Sequence, residues 1–377
     1  MYKKIFFTAF TLAVLFGCSS NKPEISAKKI RVGIFNVNGG SPECITDAFE
    51  SVRIDKDMQP EIISAATIYS SQLNNYDVII MPGGSGTSET LSLGEEGIEK
   101  LRNWVLQDGK CIVGICAGAY ILSQTPNYNC FSLSGYSASD IEHDHRGNGL
   151  AKFTLTEKGR EFFPELSKYD TLLCQYYEGP VLVPVNTDET TEVATMQSDV
   201  HLIEGTPANM TNNKPFVLLG HKGKGKTVSF VGHPETTPGM RWMVPRMIRV
   251  ALGMTFIEYP KSVVRPEIWN NEILFNQEMR NMQDLHYTSV KYGTEAEKIA
   301  AIDWLVSNAS WSAQKWMPGL LRSKSEKVRA RAAQANAALE STDHIADFDA
   351  AIENETSDSV KTILLENREV LKSMLGK

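Results

Sequence analysis

Val113-Gly114-Ile115-Cys116-Ala117-Gly118-Ala119 sets a cysteine among small residues at the end of an apolar run. A strained turn from strand to helix leaves no room for large neighbours beside a nucleophile, so this stretch reads as an elbow that presents a thiol. Much later, Gly232-His233-Pro234-Glu235 offers an imidazole and a carboxylate, with Pro234 restricting the turn between them. A thiolate attacks a carbonyl well once its pKa is lowered, which an imidazolium and a helix N-terminus both do. The pattern therefore assigns Cys116 as nucleophile, His233 as base and Glu235 as the acid that orients the imidazole. A buried cysteine and a surface histidine would explain either motif alone, but not both together.

Working outward from the elbow, apolar runs recur at the intervals of a parallel sheet with intervening helices. Residues 30–35 read as the first strand, 76–81 as a buried strand and 111–115 as the strand that delivers Cys116. Between the last two, residues 94–108 predict a helix with Ile98, Leu101 and Val105 on one face and Gly109 as its stop. Pro82-Gly83-Gly84 follows a strand end, so Gly83 and Gly84, together with the amide of Ala117, are the expected donors to a developing oxyanion. From 150 to 200 the pattern shifts to short alternating strands, and 216–219 with 227–231 predict a hairpin that leads to His233. The phosphate-loop pattern Gly220-His221-Lys222-Gly223-Lys224-Gly225-Lys226-Thr227 runs into that second strand rather than into a helix, so nucleotide binding is not expected there.

The elbow and the His-Pro-Glu segment resemble the class I glutamine amidotransferase-like superfamily, and most closely its biotin-protein ligase N-terminal domain family. The resemblance spans about residues 29–254 and implies an α/β, flavodoxin-like doubly wound sheet with a nucleophile elbow. Glutamine amidotransferases continue the elbow with a glutamine that helps to bind substrate; this chain has Tyr120 there, so glutaminase activity is not implied. Gln175-Tyr176-Tyr177-Glu178-Gly179-Pro180 resembles a tyrosine-rich loop of the same branch. It implies that Tyr176, Tyr177 and Glu178 join Tyr120 in a pocket wall, an edge-strand turn being the alternative. No adenylate loop or catalytic lysine segment of a biotin ligase follows, so biotin transfer is excluded.

The chain has 377 residues, 42% hydrophobic and 22% charged, with a net charge of -7, which fits a globular protein and no nucleic-acid partner. It begins with Lys3-Lys4 and an apolar run too short to span a bilayer, the layout of a signal peptide over residues 1–17. Leu15-Phe16-Gly17-Cys18 resembles a bacterial lipobox, implying a lipid on Cys18, a tether over 18–28 and a lipid-anchored place in the cell envelope, at the outer membrane. A plain signal peptide with an incidental cysteine is the alternative. Five further cysteines, an odd number, leave at least one thiol outside any internal disulfide.

The amidotransferase-like domain is expected over 29–256 and a helical domain over 260–377. Lys298-Ile299, Lys327-Val328 and Val360-Lys361 open similar helices at a spacing of about thirty residues, the period of stacked helix pairs. Residues 325–333 resemble a HEAT-type helix; an irregular all-α bundle is the alternative. This region is expected to offer a surface to a protein partner, and a chain ending near Tyr259 is expected to fold alone. Glu142-His143-Asp144-His145 is dense in ligand types but sits in a glycine-flanked turn, so no metal and no cofactor is expected. Two functions remain: a cysteine hydrolase acting on an amide or small peptide, and a noncatalytic ligand-binding or scaffolding lipoprotein.

Overall fold

The computed structural model describes residues 28–142 and 145–376. The signal segment, Cys18, nearly all of the tether, His143 and Asp144 lie outside the described residues. The strands are β1 (Ile30–Phe35), β2 (Met58–Ile63), β3 (Val78–Met81), β4 (Cys111–Ile115), β5 (Tyr136–Ala138), β6 (Asn148–Leu155), β7 (Leu172–Tyr177), β8 (Leu182–Pro184), β9 (Thr190–Met196), β10 (Pro215–Lys222), β11 (Gly225–Phe230) and β12 (Ile273–Phe275). The helices up to the boundary near Pro260 are α1 (Pro42–Val52), α2 (Ala65–Tyr69), α3 (Gly86–Leu106), α4 (Ala117–Leu122), α5 (Glu157–Phe162) and α6 (Met243–Leu252). Beyond it come α7 (Gln277–Tyr292), α8 (Glu295–Ser307), α9 (Met317–Leu320), α10 (Glu326–Ala338), α11 (Ile345–Asn354) and α12 (Asp358–Ser373).

One mixed sheet organises the protein. Its parallel half runs β2-β1-β3-β4-β11, the strand order of a flavodoxin-like fold, and β10, β9, β6, β7 and β12 extend it in antiparallel fashion. Strands buried on both faces carry unbroken apolar runs, because successive side chains point to opposite sides. In β3, Val78 and Ile80 enter one core with Ile45, Ala48 and Val52 of α1 and Met247 of α6. Ile79 and Met81 enter the other, with Leu101, Trp104 and Val105 of α3. The expected helix over 94–108 is the second half of α3: Gly94 adopts φ 68, and a further helical stretch capped by Ser85 precedes it. The glycine-rich stretch 220–227 is the β10–β11 hairpin, so the loop does lead into a strand.

The segment after Pro260 is helical, with one departure from the all-α expectation. β12, only three residues long, pairs with β6 and adds a strand to the sheet from beyond the expected boundary. α7, α8 and α10 begin at side-chain caps: Asn276 accepts from the amide of Met279, Thr294 with Glu297 forms a capping box, and Ser325 accepts from the amide of Val328. α8, α10 and α12 are the three helices spaced at about thirty residues; α10 packs between the other two, α7 lies on α8, and α11 on α12. Ala332, Ala335 and Val328 of α10 belong to the same apolar cluster as the sheet, so the core is continuous across Pro260. Buried polar ties follow the same path. Glu340 accepts from the amide of Gly239 at 2.8 Å, Thr342 donates to Glu50 at 2.6 Å, and Gln314 donates to Asp47 at 2.9 Å.

Candidate active site

β4 ends at Ile115, and the next residue turns sharply: Cys116 has φ 52 and ψ −104, outside the regions an L-residue adopts freely. The small residues around it are required by close packing. A Cβ on Gly118 would lie 2.1 Å from the Met81 carbonyl oxygen. The amide of Cys116 donates to Phe230 O at 2.8 Å, tying the elbow to β11, and its thiol donates to Tyr177 O at 3.3 Å. α4 has only six residues, so the dipole at its N-terminus is weak.

His233 stands just past β11, held by its own amide donating to Gln175 O at 2.7 Å. Its Nδ1 donates to Glu235 Oε1 at 2.7 Å, with both side chains fully buried. Nε2 of His233 and Oε2 of Glu235 have no hydrogen-bond partner among the described residues. Burial alone would push the imidazole toward its neutral form, but the Glu235 carboxylate and the neighbouring Cys116 and Cys44 outweigh it and raise the pKa well above the usual histidine range. His233 is thus disposed to be an imidazolium while Nδ1 is fixed, which leaves Nε2 as the nitrogen free to exchange a proton.

Cys116 and His233 line a cavity of about 640 Å³. Gly84, Ala117, Tyr120, Tyr177 and Glu178 line it as well. Gly83 lies under the imidazole; a Cβ there would fall 2.7 Å from His233 Cε1 and 2.8 Å from Cys44 Sγ. Tyr120 donates to Asp140 at 2.5 Å, and Arg146 completes a buried ionic cluster with Asp140 beneath the cavity. Tyr176 departs from the expected pocket wall: it is buried behind the site, accepting from Arg146 Nε at 2.9 Å and donating to Gly179 O at 2.8 Å. This follows from strand geometry, since adjacent Tyr176 and Tyr177 on β7 must face opposite sides. Glu178, at φ 52, pairs with His145 at 3.3 Å and lies 3.9 Å from Arg280.

Sequence reading missed two members of the site. Trp311, from the helical region, packs edge-on to the His233 ring at a centroid distance of 4.7 Å and lies 5.1 Å from the Tyr177 ring, closing one wall. Cys44, near the start of α1, puts its sulfur 3.9 Å from His233 Nδ1. Burial pushes the Cys44 thiol up to about 11. Neither residue belongs to a local pattern; the one available signal for Cys44 was its position just after the turn that follows β1. Cys44, His233 and Glu235 offer ligand atoms within 4.8 Å of one another, a set able to hold a metal ion. Cys44, Cys111, Cys116, Cys130 and Cys174 are all free thiols. Among the described residues no helix is long and apolar enough to cross a membrane.

No curated protein matches the chain. Solved structures with a similar course include a putative ThuA-like protein from Parabacteroides merdae, at 11% identity and TM-score 0.45, covering 62% of this chain and 94% of that one. The glutaminase domain of Trypanosoma brucei CTPS with bound acivicin matches at 13% identity and TM-score 0.38, over 62% of this chain and 97% of that domain. A β-galactosidase from Bacillus circulans matches at 13% identity and TM-score 0.38 over 60% of this chain, which spans only 31% of that enzyme. The model of the DJ-1/PfpI family matches residues 25–147, so it is this stretch, with the Pro82-Gly83-Gly84 loop and the Cys116 elbow but without His233 and Glu235, that carries the signature of the DJ-1/PfpI family.

Proposed function

We propose that the protein is a cysteine-dependent hydrolase of the cell envelope, acting on an amide or small peptide. The observation that carries this reading is the strained Cys116 elbow on the same cavity as His233, whose Nδ1 is held by Glu235 at 2.7 Å. In the reaction, the Cys116 thiolate attacks the carbonyl carbon and the oxygen takes up the charge, stabilised by amides at Gly84 and Ala117. Collapse of that intermediate breaks the C–N bond, and the imidazolium of His233 gives its proton to the departing amine. A water then enters, loses a proton to the neutral imidazole, attacks the thioester and releases the acid with the thiol restored. Glu235 keeps its charge throughout and holds the ring. No step requires a cofactor.

The α/β part is assigned to the biotin-protein ligase N-terminal branch, as a domain over 29–256 without ligase activity. The 260–377 region is assigned as a HEAT-like stack, supported by α10 packing between α8 and α12, with its outer face available to a protein partner. A lipid on Cys18 would anchor the chain at the outer membrane; Cys18→Ser should then release the protein from membranes, and unchanged partitioning would remove this part of the proposal. One observation favours the noncatalytic reading, in which the cavity only binds: the Cys116 thiol donates to Tyr177 O. Alkylation decides between the two readings. A hydrolase requires Cys116 to react with iodoacetamide faster than the other thiols near neutral pH, and an inert Cys116 leaves the binding module.

A further inference from the structure

We infer that Cys44, His233 and Glu235 form a binding site for a thiophilic divalent cation, Zn²⁺ by its donor set, and that an ion there silences the Cys116 thiol. The inference rests on the proposed function only in its second half, because the ligands are set by geometry alone. Cys44 takes no part in the hydrolytic steps, yet its sulfur is 3.9 Å from His233 Nδ1, and Glu235 Oε1 lies 2.7 Å from that same nitrogen. All three ligand atoms fall within 4.8 Å of one another. Ligands around a tetrahedral zinc, bound at about 2.0–2.3 Å each, stand roughly 3–4 Å apart. Small shifts in χ angles would therefore bring these donors to bonding distance.

Thiolate, imidazole and carboxylate together select zinc over the harder calcium and magnesium, which take oxygen ligands. Glu235 Oε2 is buried with no hydrogen-bond partner among the described residues, so the carboxylate can rotate toward an ion without breaking a second bond. Cys44 and His233 both line the 640 Å³ cavity, which gives the ion a path inward. Gly83 makes room for this convergence, since a Cβ on it would collide with both the Cys44 sulfur and the imidazole. When zinc binds, the thiol proton of Cys44 leaves to solvent and the Nδ1 proton of His233 is displaced. The imidazole is then held by the metal and no longer stabilises a Cys116 thiolate, so hydrolysis stops without any change at Cys116 itself.

The test uses the full chain with all thiols reduced. Co²⁺ serves as the spectroscopic substitute for zinc, and Zn²⁺ is titrated by calorimetry in a non-chelating buffer. The expected result is one equivalent of Zn²⁺ bound and a thiolate-to-cobalt charge-transfer band. Both should be retained in Cys116→Ala and the band lost in Cys44→Ser, with zinc affinity reduced at least tenfold in Cys44→Ser and in Glu235→Gln. Failure of the unsubstituted chain to bind zinc, persistence of the band in Cys44→Ser, or its loss in Cys116→Ala would overturn the inference. Alkylation of Cys116 is measured separately. A zinc site beside an inert Cys116 would leave this inference standing and remove the hydrolase; a fast Cys116 in a chain that binds no zinc would do the reverse.

Discussion

The α/β region and the helical region meet at the same cavity but contribute different kinds of residue to it. The first supplies chemistry at the carboxyl ends of β4 and β11, where strand, turn and glycine set Cys116 and His233 by local geometry. The second supplies enclosure: Trp311 lies against both the His233 and Tyr177 rings, and Glu340, Thr342 and Gln314 tie buried polar groups across Pro260. Reactive groups can be placed by short motifs, whereas a water-excluding wall needs side chains from distant parts of the chain.

The largest effect is expected from separating the two regions. A chain ending near Tyr259 loses β12 from the sheet edge, Trp311 from the cavity and one partner each of Glu50 and Asp47, which keep Arg53 and Arg241. The apolar surface that the helices cover, which joins the sheet in one core, would face water at about 25 cal/mol per Å², a large cost against a domain stability of about 5–15 kcal/mol. The expected outcome is loss of the cooperative thermal transition, which calorimetry reads; a folded truncation with full stability would restore the autonomous domain that the sequence suggests. Inside the α/β region, Gly118→Ala forces a Cβ to 2.1 Å from Met81 O, and a loss of about 1–3 kcal/mol in chemical denaturation is expected.

Trp311→Ala sharpens the division of labour. It should change the stability of the fold less than truncation while admitting water to the imidazole, slowing Cys116 alkylation severalfold; an unchanged rate would show that the helical region is only a support. The smallest effect concerns pH. Because the folded pKa of His233 lies above its unfolded value, its stabilising contribution is fully present below about pH 6.5 and is lost as pH rises through the folded pKa. The melting temperature gap between the unsubstituted chain and His233→Gln should therefore narrow at alkaline pH, and a gap that widens would contradict the Glu235 pairing.

These contrasts explain what could be read from the sequence. β1, β3 and β4 announce themselves as apolar runs, the hairpin by its glycines, and His233 with Glu235 by a compact motif. The first half of α3 was missed because Gly94 interrupts the helical period, and β12 because three residues carry no period at all. Tyr176 was misplaced because loop resemblance ignores the two-residue alternation that turns it inward. Cys44 and Trp311 reach the cavity through tertiary packing alone, and their neighbours in sequence say nothing of His233.

Activation of Cys116 by His233 is read from the rate of Cys116 alkylation by iodoacetamide across pH, with Cys116→Ala as control. Cys116 is expected to react before Cys44, Cys111, Cys130 and Cys174 near neutral pH. His233→Ala should slow that reaction by more than about tenfold and Glu235→Gln should slow it less, because the acid orients the ring without taking its proton. Labelling of Cys44 or Cys174 as fast as Cys116, or an unaltered Cys116 rate in folded His233→Ala, would contradict that activation.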